Sequence, residues 1–317
     1  MFHLVKAYFR FLLRSTNQHG VHSPFVYGLV TRCFYDRRKY SSYALLKQYR
    51  RSLLKDKRAI KVKDFGAGSK VFTSEVRKLS KMAKTAGISP KRARLLNRLV
   101  RYLEAETALE LGTSLGLGTA AMAAGNKIKV TTIEGCPQTA KIASENFQRF
   151  GLENIELKVG EFEKYLMVRV QGSEVRGQRT TDGGIQDLKF KIQDSESYSI
   201  DNKTSFAEAS EDRQQGIGNM RPKTLNSELI ITHNFDLLFI DGNHQKEATL
   251  SYFEKLLPTV HNDSVMIFDD IHWSKGMEEA WEEIKAHPKV KVSIDTFQWG
   301  LVFFRREQEK EHFVIRV

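Results

Sequence analysis

The sequence predicts an α/β protein with a doubly wound, mainly parallel sheet. Short apolar runs at Leu109–Leu111, Lys129–Glu134, Ile155–Gly160, Phe235–Gly242 and Ser264–Asp270 alternate with helical patterns. That alternation is what strands joined by helical crossovers produce. The first run opens into Gly112, Gly116 and Gly118, a glycine turn leading to the helix that starts at Thr119. The last two runs, Lys289 to Phe297 and Gly300 to Arg305, have only Gln298 and Trp299 between them. Two residues cannot make a parallel crossover, so this pair is antiparallel. The count is seven strands, the last one antiparallel.

Composition bounds the rest. The chain has 317 residues, 41% of them apolar, enough for one large domain with appendages. Net charge is +12, and residues 47–101 concentrate eighteen Lys and Arg against Asp56, Asp64 and Glu75. Such a block suits an acidic partner such as nucleic acid, a phosphorylated substrate or anionic lipid; equally, it suits a solvated helical face. Cys33 and Cys136 are too few for a disulfide framework or a zinc site, and a reducing cytoplasm is the default location. No apolar run reaches the roughly 18 residues of a membrane span, and the basic residues in the first fourteen argue against a signal peptide.

In chain order, residues 2–14 read as a helix with Lys6, Arg10 and Arg14 on one stripe and Phe2, Val5, Phe9, Leu12 and Leu13 opposite. It is expected to dock on the main domain or to touch a membrane surface weakly. His19 and His22, three apart beside the Gly20 and Pro24 turn, fit a shared ligand or structural roles. Residues 26–58, 74–86 and 90–103 read as basic helices. The second glycine turn, Asp64 to Ser69, reads as a loop over the active site or a plain turn. Residues 1–100 thus form a helical, basic extension that caps the acceptor side. Residues 101–317 form the main domain, with an insertion at 171–228 too polar and aperiodic to order itself.

The chemistry collects at the carboxyl ends of the strands, where open α/β sheets bind ligands. Thr107-Ala-Leu-Glu-Leu-Gly-Thr-Ser-Leu-Gly-Leu-Gly-Thr119 has the composition of a nucleotide cradle, because glycine lets a ligand approach where a Cβ would clash. The cofactor-binding candidates there are Glu110, Gly112, Thr113, Ser114, Gly116, Gly118 and Thr119. Glu134, sixteen residues after Gly118 at the end of the second strand, can accept two ribose hydroxyls. Glu161, after the third strand, can accept from an adenine amino group. Asp241 ends the fourth strand with Asn243 and His244 beyond it; Asp269 and Asp270 end the fifth with His272 beyond. These acids and imidazoles could hold a hard divalent cation, or Asp241 or His244 could act as a general base. Asp269 and Asp270 are adjacent, so a regular strand cannot point both inward.

The whole arrangement resembles the class I S-adenosylmethionine-dependent methyltransferases. The 110–119 turn looks like their cofactor motif, Glu134 matches their ribose-binding acid, and the terminal hairpin matches their antiparallel seventh strand on a Rossmann-like sheet. The Glu-Leu-Gly-Thr-Ser form, with Asp-Gly-Asn-His and Phe-Asp-Asp later, is most similar to the catechol-type O-methyltransferase branch. That likeness implies S-adenosyl-L-methionine as cofactor and Mg2+ held by Asp241, Asp269 and Asp270. The chain departs from the branch in having Asp-Asp in place of Asp-Asn, and its nearest lysine, Lys246, lies five residues after Asp241. The resemblance covers about residues 100–305 without the insertion.

The expected function is methyl transfer to a hydroxyl of a small-molecule, sugar or lipid-linked acceptor, with Asp241 and His244 as candidate catalytic groups. An RNA methyltransferase using the basic 47–101 segment is the competing reading, though no Asn-Pro-Pro-Tyr-like motif is present. A dinucleotide oxidoreductase and a degenerate binding module are further alternatives.

Overall fold

The structure, a computed structural model, describes residues 2–63, 74–85, 87–166 and 233–317. The Asp64–Ser69 turn and the 171–228 insertion lie outside the described residues.

An eight-stranded sheet forms the centre. Its strands are β3 (Thr107–Leu111), β4 (Lys129–Glu134), β5 (Ile155–Val159), β6 (Leu237–Ile240), β7 (Val265–Asp269), β8 (Val292–Asp295), β9 (Trp299–Phe303) and β10 (Glu311–Val314). Their spatial order is β10-β8-β9-β7-β6-β3-β4-β5. All are parallel except β9, which runs antiparallel to both β7 and β8. The seven expected strands are present, and β10 adds an eighth, pairing in parallel with the edge strand β8. The β8–β9 connection is one residue longer than expected, Thr296 to Gln298, with Phe297 at φ +74°. Order reverses at β3, whose neighbours β4 and β6 lie on opposite sides. That switch point is where a crevice opens above the strand ends.

Alternation along the strands feeds two cores. Ala108, Leu237, Phe239, Val265 and Ile267 face one cluster, while Leu109, Leu111, Leu238, Ile240, Met266 and Phe268 face the other. Helices α8 (Phe162–Tyr165), α9 (Lys246–Leu256) and α10 (Lys275–Ala286) supply the second cluster. The first is covered by α6 (Leu117–Ala123) and α7 (Pro137–Arg149), and also by the N-terminal extension. The extension consists of α1 (Phe2–Arg14), α2 (Pro24–Leu29) continuing into a π turn, α3 (Ser42–Lys55), α4 (Leu79–Thr85) and α5 (Pro90–Tyr102). It also contains a short hairpin, β1 (Ala59–Lys61) with β2 (Val76–Lys78), in place of helix at 76–78. Leu29, Leu53, Leu96 and Leu99 share one continuous core with the sheet.

Local sequence explains the helix starts. Ser23 and Ser89 each accept from the amide three residues on, and each is followed by proline at the first helical position. Several arginines of the extension are engaged within the fold, while most of its basic residues, Lys47, Arg51, Lys55, Lys57 and Lys81 among them, stay exposed. Arg98 donates to the Cys33 and Phe34 carbonyls at the end of the π turn, Arg58 pairs with Asp56 and Glu145, and Arg101 donates to Gly125. The two ends of the chain are tied together: the Thr16 amide donates to Val314, and the Arg316 amide donates to Thr16. Helix α1 docks through Ala7 and Phe11, with Tyr8 edge-on to Phe297 at 4.8 Å. Its outer ridge of Val5, Phe9 and Leu13 stays exposed, Leu13 by 87%. Among the described residues no helix is long and apolar enough to cross a membrane.

Asn97 of α5 joins the extension to α6. Its side-chain amide donates to the Ala121 and Ala124 carbonyls at 2.9 and 2.8 Å and accepts from Ser42 at 2.8 Å, all fully buried. Asn97→Ala strands three buried polar groups, so urea unfolding should show a loss of about 2–4 kcal/mol. A loss below about 1 kcal/mol would contradict a clamping role.

Candidate active site

The glycine turn between β3 and α6 forms the floor of the crevice. Gly112 has φ +102°, and a Cβ there would lie 2.1 Å from the Asp241 carbonyl oxygen. Gly116 has φ +76°, and a Cβ there would meet Phe147 at 2.5 Å and the Tyr49 hydroxyl at 2.6 Å. Both positions demand glycine twice over, by conformation and by space. Tyr49, from the extension, donates to the Leu115 carbonyl at 3.0 Å and so braces the turn from behind.

Glu110 sits beneath this turn rather than in the crevice. It is 1% exposed and on the same face as Ala108, under α6. Its Oε2 accepts from the Thr119 hydroxyl and, at 2.6 Å, from Thr132. Thr113 and Thr132 hydroxyls are in turn bonded at 2.6 Å. Burial pushes the Glu110 carboxyl up to about 8 against the pull of both threonines. Glu110, expected among the cofactor-binding residues, thus lies under α6 with two threonine hydroxyls on its carboxyl. Thr113 and Thr119 are buried in the same network, which holds the cradle from below.

Glu134, at the end of β4, faces the turn. Its two oxygens accept from the Ser114 amide at 2.7 Å and the Cys136 amide at 2.9 Å. A carboxylate has about four acceptor positions, so these bonds orient it without exhausting it. Glu161 is exposed just beyond β5, at the start of α8. One neighbour, Phe162, escaped sequence reasoning, and Asn243 was placed beyond Asp241 without a role. Phe162 lies over Gly242, where a Cβ would meet its ring at 2.7 Å. Asn243, at φ +48°, keeps a buried Oδ1 with no hydrogen-bond partner. A buried orphan acceptor in a crevice is a place for a ligand donor.

Asp241 follows β6 directly above the Gly112 turn, its amide donating to Leu111 at 2.9 Å. Burial first, then the Asp269 carboxylate hydrogen-bonded to it, hold the Asp241 carboxyl well above the usual range. His244 Nε2 is 3.9 Å from Asp241 Oδ1. Asp269 is buried at the end of β7 and takes Arg92 Nη1 of α5 at 2.8 Å. Arg92 was hidden from sequence reasoning in the basic run, although the Ser89-Pro90 start places it in the first turn of α5.

The divalent site expected at Asp241, Asp269 and Asp270 does not fit these residues. Asp269 already binds a cation, Asp241 bonds to Asp269, and Asp270 stands in a turn at φ +53° with its amide donating to Gln298. Among the described residues no three His, Cys, Asp or Glu side chains could hold a metal ion. His272 is not available either. It lies between Glu278 and Asp295, 2.9 Å from each, and stacks on Phe297. His19 and His22 are solvent-exposed.

The buried Glu110 predicts a pH dependence of stability. Native Glu110 keeps its proton to about 8, whereas the unfolded chain releases it near its ordinary 4.5. Between those values the native state binds more protons, so unfolding free energy falls as pH rises. Glu110→Gln should remove that fall. Its unfolding free energy should match wild type near pH 4.5 and exceed it at pH 8 by on the order of a few kcal/mol. Parallel pH profiles for the two proteins would contradict the assignment.

A family model described as a methyltransferase domain matches residues 109–271. No curated protein matches the chain. Among solved structures, the chain is similar to a putative O-methyltransferase from Klebsiella pneumoniae, with 15% identity, 85% of this chain and 92% of that one covered, and a TM-score of 0.46. It is also similar to an O-methyltransferase from Bacillus cereus solved with S-adenosylhomocysteine, at 18% identity, 84% and 91% coverage and TM-score 0.45. A third is the Podospora anserina methyltransferase PaMTH1, also solved with S-adenosylhomocysteine, at 12% identity, 90% and 97% coverage and TM-score 0.49. The family match spans just over half of the 317 residues and contains the glycine turn, Glu134, Asp241 and Asp269, and the chain belongs to the methyltransferase domain family.

Proposed function

We propose that the protein is an S-adenosyl-L-methionine-dependent O-methyltransferase acting on a small-molecule acceptor, including sugar or lipid-linked hydroxyls. The observation that carries this is the crevice at the switch point. There, two turns that admit no Cβ bring Glu134, the orphan Asn243 Oδ1 and Asp241 to the ends of β4 and β6, the two neighbours of β3. In this reading Gly112, Ser114, Gly116 and Gly118 provide the close backbone surface, Glu134 receives the ribose hydroxyls and Glu161 the adenine amino group.

When bound, the cofactor supplies a sulfonium methyl to which an acceptor oxygen donates a lone pair, the C–S bonding pair staying on sulfur. The chain's residues align acceptor and methyl, and alignment alone carries much of such an acceleration. In this reading Asp241 or His244, whose Oδ1 and Nε2 atoms stand 3.9 Å apart, receives the acceptor's proton. The basic 47–101 segment supports the RNA reading only in part: Arg92 and Arg98 are engaged inside the fold, while residues such as Lys47, Arg51 and Lys57 stay exposed. The outer ridge of α1 suits weak contact with a membrane surface, and the cytoplasm remains the expected location.

Calorimetric titration with S-adenosylhomocysteine should show one site, weakened at least about tenfold in Glu134→Ala, since a charged acceptor lost from a buried hydrogen bond costs 1.5 kcal/mol or more. No binding by the wild-type chain would sink the proposal.

A further inference from the structure

Asp269 raises a question that the O-methyltransferase reading leaves open: why the N-terminal extension sends an arginine to the acidic end of β7. Arg92 reaches Asp269 from the first turn of α5, with Nη1 to Oδ1 at 2.8 Å and the side chain only 24% exposed. A guanidinium has five N–H donors. Only one is used here, and the others have no acceptor among the described residues. The group is also held in orientation over the Trp299 ring, 6.0 Å from its centroid.

Those remaining donors border a cavity of about 360 Å³ between α1, α5 and the β8–β9 turn. Tyr8, Phe11, Leu12, Phe297 and Trp299 give it apolar and aromatic walls, and no Asp or Glu side chain lines it. Lys91 and Arg316 line it too, but Lys91 donates to the Val317 carbonyl and Arg316 to Leu12 and Ser15. All three cations keep unused N–H groups, but of the three only Arg92 is bonded to the buried acid at the end of β7. Arg92 lies one hydrogen-bonded carboxylate away from Asp241, which flanks the cofactor turn.

We propose that Arg92 supplies the positive charge on the acceptor side that a divalent metal would otherwise supply, and that the cavity beside it takes an apolar-bodied acceptor bearing an ionisable hydroxyl. The guanidinium is pinned by Asp269 and its remaining N–H groups hold the acceptor's oxygen as negative charge develops on it. A pre-oriented donor needs no reorganisation at that moment. The net charge at Asp269 is already balanced, so a metal ion there would have to displace Arg92 against like-charge repulsion. Arg92 thus acts on the acceptor, with Asp269 as its positioning residue.

This inference rests on the O-methyltransferase reading, and the test separates the two. Calorimetry with S-adenosylhomocysteine reports on that reading alone. With S-adenosylhomocysteine bound to the full chain, manganese titration followed by electron paramagnetic resonance should show no bound Mn2+ that Asp269→Asn removes. A stoichiometric Mn2+ lost in Asp269→Asn would overturn the proposal. In EDTA, 4-nitrophenol serves as the acceptor probe, because its phenolate absorbance reports its ionisation. Bound to wild type it should become about tenfold more acidic than in solution, the effect of one fixed cation nearby. Arg92→Lys should keep part of that shift and Arg92→Ala should abolish it. Absence of probe binding or of a shift in wild type, or an undiminished shift in Arg92→Ala, would overturn the proposal.

Discussion

The approach of two backbones at the switch point governs this molecule. β3 and β6 are adjacent parallel strands, and where they end the Gly112 and Asp241 residues come so close that even a methyl group at 112 would strike the Asp241 carbonyl. That contact fixes the separation between the glycine turn and the acidic strand end. It places the proposed cofactor floor and the proposed acceptor-side acids within one crevice. A wider gap would leave room for a side chain and would break the register between the two functions.

The cradle is braced from both sides. Beneath it, Glu110 bonds Thr119 and Thr132, tying α6 and β4 to β3. Keeping that carboxyl buried costs stability at neutral pH, because its charged form is desolvated. Behind it stands the extension. Tyr49 holds the turn, Asn97 holds α6 and Arg92 holds Asp269. Residues 2–63 and 74–103, which carry the strong basic excess, are in this sense part of the same core rather than an appended arm. Some of their arginines do structural work, Arg98 at a helix end and Arg92 at a buried acid, while their described lysines stay exposed.

Much of the fold was legible because long-range order follows from short-range pattern. The apolar runs marked the seven strands, the short link marked the antiparallel one, and glycines marked the cradle. The eighth strand was not legible, since Glu-His-Phe-Val at 311–314 has no buried run and is set by pairing with β8. The β1–β2 hairpin was missed for the same reason: three-residue strands with exposed side chains carry no period. In the site, Glu134 and Asp241 stand where the strand ends put them. Glu110 was misread although Leu-Glu-Leu holds the clue. With Leu109 and Leu111 facing one core, the residue between them must face the other. Arg92 was invisible because a paired arginine in a basic helix looks like its solvated neighbours. The expected metal set failed on the same contact. Sequence could bring three carboxylates to two strand ends, but it could not show that one of them was already neutralised by a helix from elsewhere in the chain.

Hydrogen–deuterium exchange with and without S-adenosylhomocysteine tests the central claim most directly, because it reads the location of binding without knowledge of the acceptor. Protection should appear in peptides covering 112–119, 134–136 and 241–244 together, and β10 should be unchanged. Protection confined to the basic extension, or none at the glycine turn, would contradict a cofactor crevice at the switch point.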